Sequence, residues 1–343
     1  MKKRILSLIL AVGMMTALAA CGGSTGDSTG DSAGGDTSEA KGIPLKVATY
    51  YADTHPTSIA LEEVFKPMID EGTEGRYTVE LYSNNGLGSE TEFNEGVSLG
   101  TIECCVTGNL MADRYPALYA ADFPWVFDSV EEASAVCNDP EIQQIFQDAL
   151  IQSHYILRGC SINGNRCVSN NVRPINSLAD LKGLKLRLPT VSHYVRNFEL
   201  LGAAPVTMPM TEIFTALQQG TIDACENAVS NCWINKYYEA GATHVINTHH
   251  CFVYIPMCMS DTAWNKIPED LRETFLSAVQ EGCEAQWQYL IDANEEAIKN
   301  LKEVGVTFHD IDLEELKAAY DKVNTTAYDA DWAAAVDAAK AAV

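Results

Sequence analysis

Twice along this chain of 343 residues a short apolar stretch gives way to an amphipathic helical stretch and then to another short apolar stretch. No other feature restricts the fold as much. Residues 45–50 (LKVATY) predict a strand, and 57–71 a helix with Ile59, Leu61, Val64, Phe65 and Met68 on its apolar side. A strand at 77–82, a helix at 91–99 and a strand at 102–106 complete the first unit. A helical stretch at 131–152, interrupted at Asp139-Pro140, and an extended stretch from 155 to 158 follow. The pattern then returns as strand 185–188, helix 193–201, a short strand at Val206, helix 211–219 and strand 222–225. Extended runs at 244–246 and 251–259 lead to the longest helix signal, 268–304, which Pro268 opens with acidic residues in its first turn. Strand–helix alternation of this kind builds parallel sheets covered by helices. Two such units with several extended crossings predict an α/β protein of two lobes with a ligand cleft between them and a long C-terminal helix. The expected boundaries are 44–164 plus about 253–285 for the first lobe, 165–252 plus about 286–328 for the second, and an acidic, Ala-rich helical tail at 329–343.

The first residues read as a targeting segment. Lys2, Lys3 and Arg4 precede an apolar run, 5–20, that is short for a membrane span and ends in Leu18-Ala19-Ala20-Cys21. Small residues before a cysteine resemble a bacterial lipobox, which implies cleavage before Cys21 and its lipidation as a membrane anchor. The other reading is an ordinary signal peptide with a chance cysteine. Residues 22–42, GGSTGDSTGDSAGGDTSEAKG, hold no apolar run and predict a flexible linker spanning about 25 Å. The formal charge of −24 becomes −27 once residues 1–20, with three positive charges and no negative one, are removed. Such a chain is unsuited to nucleic acid and to anionic lipid. It can still take a small anion, because surface charges are largely screened beyond about 8 Å. Of the eleven cysteines, the ten after Cys21, without CxxC or zinc-finger spacing, read best as buried free thiols, although disulfides among them are possible.

Motifs of catalysis are missing: there is no GxSxG, HExxH, Walker loop or GxGxxG. No cofactor is expected. His249-His250-Cys251 has the residue types of a metal site, but neighbours on a strand point to opposite faces, so no metal is expected there. Polar residues inside apolar stretches carry more information. In LKLRLP, Leu184, Leu186 and Leu188 face one way and Lys185 and Arg187 the other. A guanidinium keeps its charge, so Arg187 near a core requires an anion or water. Arg166 in INGNRCVSN and Asn227, where a strand runs out into Glu226-Asn227, raise the same question. A salt bridge at a sheet edge or a turn cap would answer it without any ligand.

Together these segments resemble a known family. The run from INGNRCVSNNVRP through DLKGLKLRLP, LGAAP, PMTEIF and ALQQGTIDACENAV is similar to the core of TRAP (tripartite ATP-independent periplasmic) transporter solute receptors of the C4-dicarboxylate type. KYYEAG, THVINTHH and AWNKIPEDLRE continue the match in order, and LGSETEFNEGVSLGTIECC and ADFPWVF extend it to the N-terminal half, so that it covers roughly residues 45–323.

The resemblance implies a receptor for a small organic acid that hands its ligand to membrane permease subunits. Arg187 would clasp the ligand carboxylate, Arg166 would stand beside it, and Asn227 would hydrogen-bond the same end. Thr190 and Met210 would line the pocket. From the first lobe Tyr50, Tyr51, His55, Glu90, Gly108 and Asn109 would face the rest of the ligand. Two departures bear on the ligand. Sialic-acid receptors carry an acidic and then a basic residue where this chain reads Thr-Gly-Asn-Leu-Met, and Gly108 and Met111 supply neither. The usual D-G-x-E-N is here D-A-C-E-N, with Ala224 and Cys225, which would tighten a turn. The aromatic wall suits a sugar acid first and a C4-dicarboxylate second. A sensory receptor signalling to a membrane kinase, and an enzyme acting on organic acids, are the rival functions.

Overall fold

The computed structural model describes residues 42–115, 118, 122 and 124–321. The targeting segment, Cys21, the linker before residue 42 and the tail 329–343 lie outside them. The strands are β1 Ile43–Thr49, β2 Tyr77–Tyr82, β3 Cys104–Val106, β4 Tyr155–Ile162, β5 Arg166–Asn170, β6 Lys185–Leu188, β7 Ala204–Thr207, β8 Ala224–Ala228, β9 His244–Asn247, β10 Tyr254–Ser260 and β11 Thr307–Asp310. They form two sheets, ordered β2-β1-β3-β10-β4 and β11-β9-β5-β8-β6-β7. In the first, β1, β2 and β3 run parallel and β10 runs against β3 and β4. In the second, β6 is parallel to β7 and β8, while β5 opposes β8 and β9. The α/β class with two lobes is the expected one.

The inner strands of both sheets are buried on both faces, as the strands of helix-covered parallel sheets are. Adjacent Cys104 and Cys105 show this most simply. Cys104 packs with Leu45, Val47 and Phe275 on one face, and Cys105 with Ala48, Phe93 and Cys258 on the other. The ten cysteines of the body are all buried and free. The chain passes between the sheets after β4 and again between β9 and β10. A third connection is the long helix Arg272–Glu303, which packs on helix Pro56–Ala60 and β4 of one lobe and on helix Val229–Ile234 of the other. Gly159 permits the close approach to β4, since a Cβ there would stand 2.6 Å from Val279 Cγ1.

Several elements differ from expectation for local reasons. The first helix is not uniform. Pro67 has no amide hydrogen for the preceding turn, and the ladder widens to a π turn over Leu61–Phe65, closed by the Lys66 N–H on the Leu61 carbonyl. The break at Asp139-Pro140 separates helices Val130–Cys137 and Pro140–Leu150, with Asp139 capping the second. β8 starts later than expected and runs on to Ala228, because β5 pairs along its whole length, Arg166 opposite Ala228. Glu226 and Asn227 are therefore strand residues rather than turn residues, and Ala224 and Cys225 tighten no turn. His249–Cys251 is not a strand, and His249 has φ +43°. β11 escaped notice because it is a short, half-exposed edge strand beside β9.

Candidate functional site

In open α/β sheets ligands lie beyond the carboxyl ends of the parallel strands. Here the two sheets turn those ends toward one cavity of about 430 Å³. Tyr50 follows β1, Asn85 follows β2, Thr190 follows β6, and Asn227 is the penultimate residue of β8. Because β5 is antiparallel to β8, its first residue, Arg166, arrives at the same edge.

The wall from the second lobe carries the cations. Leu184, Leu186 and Leu188 pack into one core cluster, as the alternation predicted, and Arg187 points the other way. It is 4 % exposed, and its Nε and Nη2 both donate to the Met208 carbonyl, at 2.9 and 2.7 Å. Among the described residues no carboxylate lies within salt-bridge distance of it. Burial holds its pKa below the usual guanidinium value. Arg166 differs. It forms a buried ion pair with Glu226 through Nε, and its Nη2 also donates to the Glu226 carbonyl at 3.0 Å. Burial pushes the Glu226 carboxyl up, but the Arg166 charge and the bonds from His250 and Arg166 outweigh it and hold the pKa at about 2. His250 Nε2 lies 3.1 Å from Glu226 Oε1. Cys251 completes a trio whose ligand-type atoms lie within 4.8 Å of one another. His249 is not part of it, as expected, but not for the expected reason, since 249–251 is not a strand. The Glu226 oxygen is nonetheless engaged by Arg166. Asn227 Oδ1 accepts from the Ala228 N–H at 2.9 Å and from Asn231 Nδ2 at 3.1 Å, so Nδ2 is the atom it can offer a ligand.

The wall from the first lobe carries hydroxyls, amides and one carboxylate. Glu90 opens helix Glu90–Ser98, and Ser89 caps that helix in a reciprocal capping box with Glu92. Glu90 Oε1 accepts from the Gly108 N–H at 2.7 Å and from Thr107 Oγ1 at 2.9 Å. Burial raises its pKa to about 7, against the pull of those two bonds and of Arg187. Gly108 is required by close approach, because a Cβ would stand 2.8 Å from the Tyr50 hydroxyl and 3.0 Å from Glu90 Oε1. Tyr50 donates its hydroxyl to Tyr51 at 2.7 Å.

Of the expected site residues, Arg187, Arg166, Asn227, Glu90, Tyr50, Thr190 and Met210 line the cavity together. Tyr51 and His55 do not. Tyr51 is fully buried, with the His55 ring stacked on it at 3.8 Å. His55 Nδ1 instead accepts from the Thr57 N–H and caps a helix, and burial lowers its pKa to about 3. Gly108 acts through Glu90 rather than as lining, and Asn109 begins the 3-10 helix Asn109–Asp113 behind it. Lining residues not foreseen include Asn85, Ser89, Thr91, Asn163 and Thr211. Asn85 belongs to the Asn84-Asn85-Gly86 turn and has φ +61°. Its Oδ1 is buried without a partner among the described residues. A polar turn directly after a strand was the signal available for it.

Comparison with known proteins gives a consistent result. The profile of the family described as "Bacterial extracellular solute-binding protein, family 7" matches residues 47–331. An uncharacterized protein of Haemophilus influenzae is 34 % identical over 72 % of this chain and 74 % of its own length. The 2,3-diketo-L-gulonate-binding periplasmic protein YiaO of Escherichia coli is 26 % identical over 79 % of this chain and 82 % of its own. Among solved structures, a TRAP periplasmic solute-binding protein of Haemophilus influenzae with bound L-gulonate superposes with a TM-score of 0.83 at 30 % identity, covering 88 % of this chain and 100 % of that one. Among the described residues no helix is long and apolar enough to cross a membrane.

Proposed function

The chain belongs to family 7 of the bacterial extracellular solute-binding proteins, the receptors of TRAP transporters, and we propose that its solute is an open-chain sugar acid held by an Arg187–carboxylate clasp. Members of this family are binding proteins and not enzymes, and they work outside the cytoplasm. The observation that carries the proposal is Arg187 itself, a buried guanidinium on a cavity wall with no carboxylate within salt-bridge distance among the described residues. A planar fork matches a carboxylate in two bonds, and a closed, dry cleft strengthens the pair.

Charge counting favours a sugar acid over a dicarboxylate. Arg166 is already neutralised by Glu226, and among the described lining residues the charged groups left are Arg187 and, on the opposite wall, Glu90, so the favourable place for a carboxylate is at Arg187 alone. A second carboxylate would meet Glu90 on the opposite wall. Hydroxyls would instead find Glu90, Asn85, Ser89, Thr91 and Tyr50 as partners. The relatives that bind L-gulonate and 2,3-diketo-L-gulonate support the same ligand class.

The mechanism follows. The acid enters between the lobes, bounded at about 44–164 plus 253–285 and 165–252 plus 286–328, and Arg187 takes its carboxylate. Closure is favoured because the ligand touches both walls only in the closed form. The closed receptor then delivers the acid to the membrane permease, and a lipid on Cys21 keeps it near. Replacing Cys21 by Ser would release the protein from the membrane fraction; retention would sink the anchor. The ligand class is tested by a thermal-shift series with L-gulonate, D-glucuronate, succinate and malate. An acid at about 1,000 times its dissociation constant adds about 4 kcal/mol, a rise of roughly 5–10 °C in the midpoint. The expected rise comes from the sugar acids, and a rise from malate or succinate alone would overturn the charge count.

A further inference from the structure

The helix Ser192–Leu200 of the second lobe begins without a cap of its own. Val191 stands at the N-cap position and its side chain accepts nothing. The first amides of a helix need an acceptor, and an anion there is favoured by the helix dipole. Here the acceptor comes from the other lobe. Asp113 accepts from the Ser192 N–H at 2.9 Å on Oδ1 and 3.2 Å on Oδ2, and from Ser192 Oγ at 3.0 Å.

The two partners have their buried anchors in different lobes, although Leu110 of the same 3-10 helix as Asp113 also packs against the core of the second. Asp113 ends the 3-10 helix whose Met111 and Ala112 are buried in the core of the first lobe. Ser192 opens the helix whose Tyr194 and Phe198 are buried in the core of the second. A rotation that opens the cleft at this point would part Asp113 from Ser192. The contact also lies close to the ligand cavity, since Leu110 and Thr190, each a few residues away, line it.

We infer that Asp113 is a positioning residue for solute binding, a helix cap supplied across the cleft that exists only in the closed form and so raises affinity without touching the solute. The inference rests on the receptor reading, but not on which acid is bound. A contact present only in the closed state increases the closed fraction, and apparent affinity scales with that fraction. Both side chains are exposed, so in the open form water replaces the bonds and the fold does not depend on them.

The test has two arms on the whole chain. In the first, Asp113→Ala is titrated with L-gulonate. Its dissociation constant is expected to rise roughly threefold to tenfold, mainly through faster dissociation, with the unfolding midpoint of the ligand-free protein unchanged. Asp113→Asn, which keeps an acceptor oxygen but loses the charge, should fall between. The second arm requires no solute. The double variant Asp113→Cys, Ser192→Cys is treated with oxidised glutathione and its radius of gyration is measured by X-ray scattering. A crosslink that forms and compacts the molecule supports the cross-cleft cap. Failure to crosslink, or an Asp113→Ala variant that binds and releases L-gulonate as the parent does, would overturn it. If the parent does not bind L-gulonate, that choice of acid fails, and the crosslink alone decides the cap.

Discussion

At the scale of single residues, two buried arginines share a wall and differ in what satisfies them. Arg166 has Glu226, and the pair is sealed from water. Removing one partner of such a pair leaves a buried charge, so Glu226→Gln should cost about 3 kcal/mol or more of stability in denaturant unfolding. The pH dependence has two parts of opposite sign. Glu226 is held at about 2, below its ordinary value, so its contribution is present above about pH 4.5 and is lost as pH falls toward 2. Glu90 is raised to about 7, so its contribution is full below about pH 4.5 and is lost as pH rises through 7. Glu90→Gln should flatten the decline of the thermal midpoint between pH 5 and 8; an unaltered profile would mean that Glu90 ionises without cost. Arg187 was legible in the sequence because it breaks an alternating apolar strand. The partner of Arg166 was not, because Glu226 is 60 residues away and meets it only through strand pairing. Tyr51 and His55 were misplaced for a related reason: they follow the right strand, but Tyr51 turns inward and His55 caps the next helix.

At the scale of elements, helix ends and one glutamine set the geometry of the site. The Ser89–Glu92 capping box fixes the start of the helix that presents Glu90. Ser89→Ala should lose about 1 kcal/mol, visible as a lower unfolding midpoint without ligand. Gln286, in the middle of the long helix, is buried and ties the end of β4. Its Nε2 donates to the Ile162 carbonyl at 2.7 Å and its Oε1 accepts from the Ile162 N–H at 3.2 Å. Gln286→Leu would orphan both backbone groups and is expected to cost about 2–4 kcal/mol; a neutral result would show that water reaches that seam. The strongly periodic elements were readable from sequence, the long helix nearly to its ends. The π turn before Pro67, the extension of β8 and the edge strand β11 were not. Each is decided by a neighbouring element rather than by local propensity.

At the scale of the whole molecule, two sheets with buried inner strands are connected by two crossings and one long helix, and the cavity lies where the strand ends of both converge. The ten buried thiols fit this picture as small apolar side chains. A thiol reagent should label few or none of them in the native state and all ten in denaturant, and prompt native labelling would contradict their burial. That two lobes exist could be read from two successive α/β units. Which polar residues meet across the cleft could not, because no local pattern records the approach of separate sheets. The central claim is that Arg187, which has no carboxylate within salt-bridge distance among the described residues, receives the ligand carboxylate. Titration calorimetry of the parent protein, Arg187→Ala and Arg187→Lys with L-gulonate tests it most directly. The account predicts that Arg187→Ala loses about 3 kcal/mol of binding or more, beyond a hundredfold, and that Arg187→Lys recovers only part because the fork is gone. Parent-like binding by Arg187→Ala would contradict it.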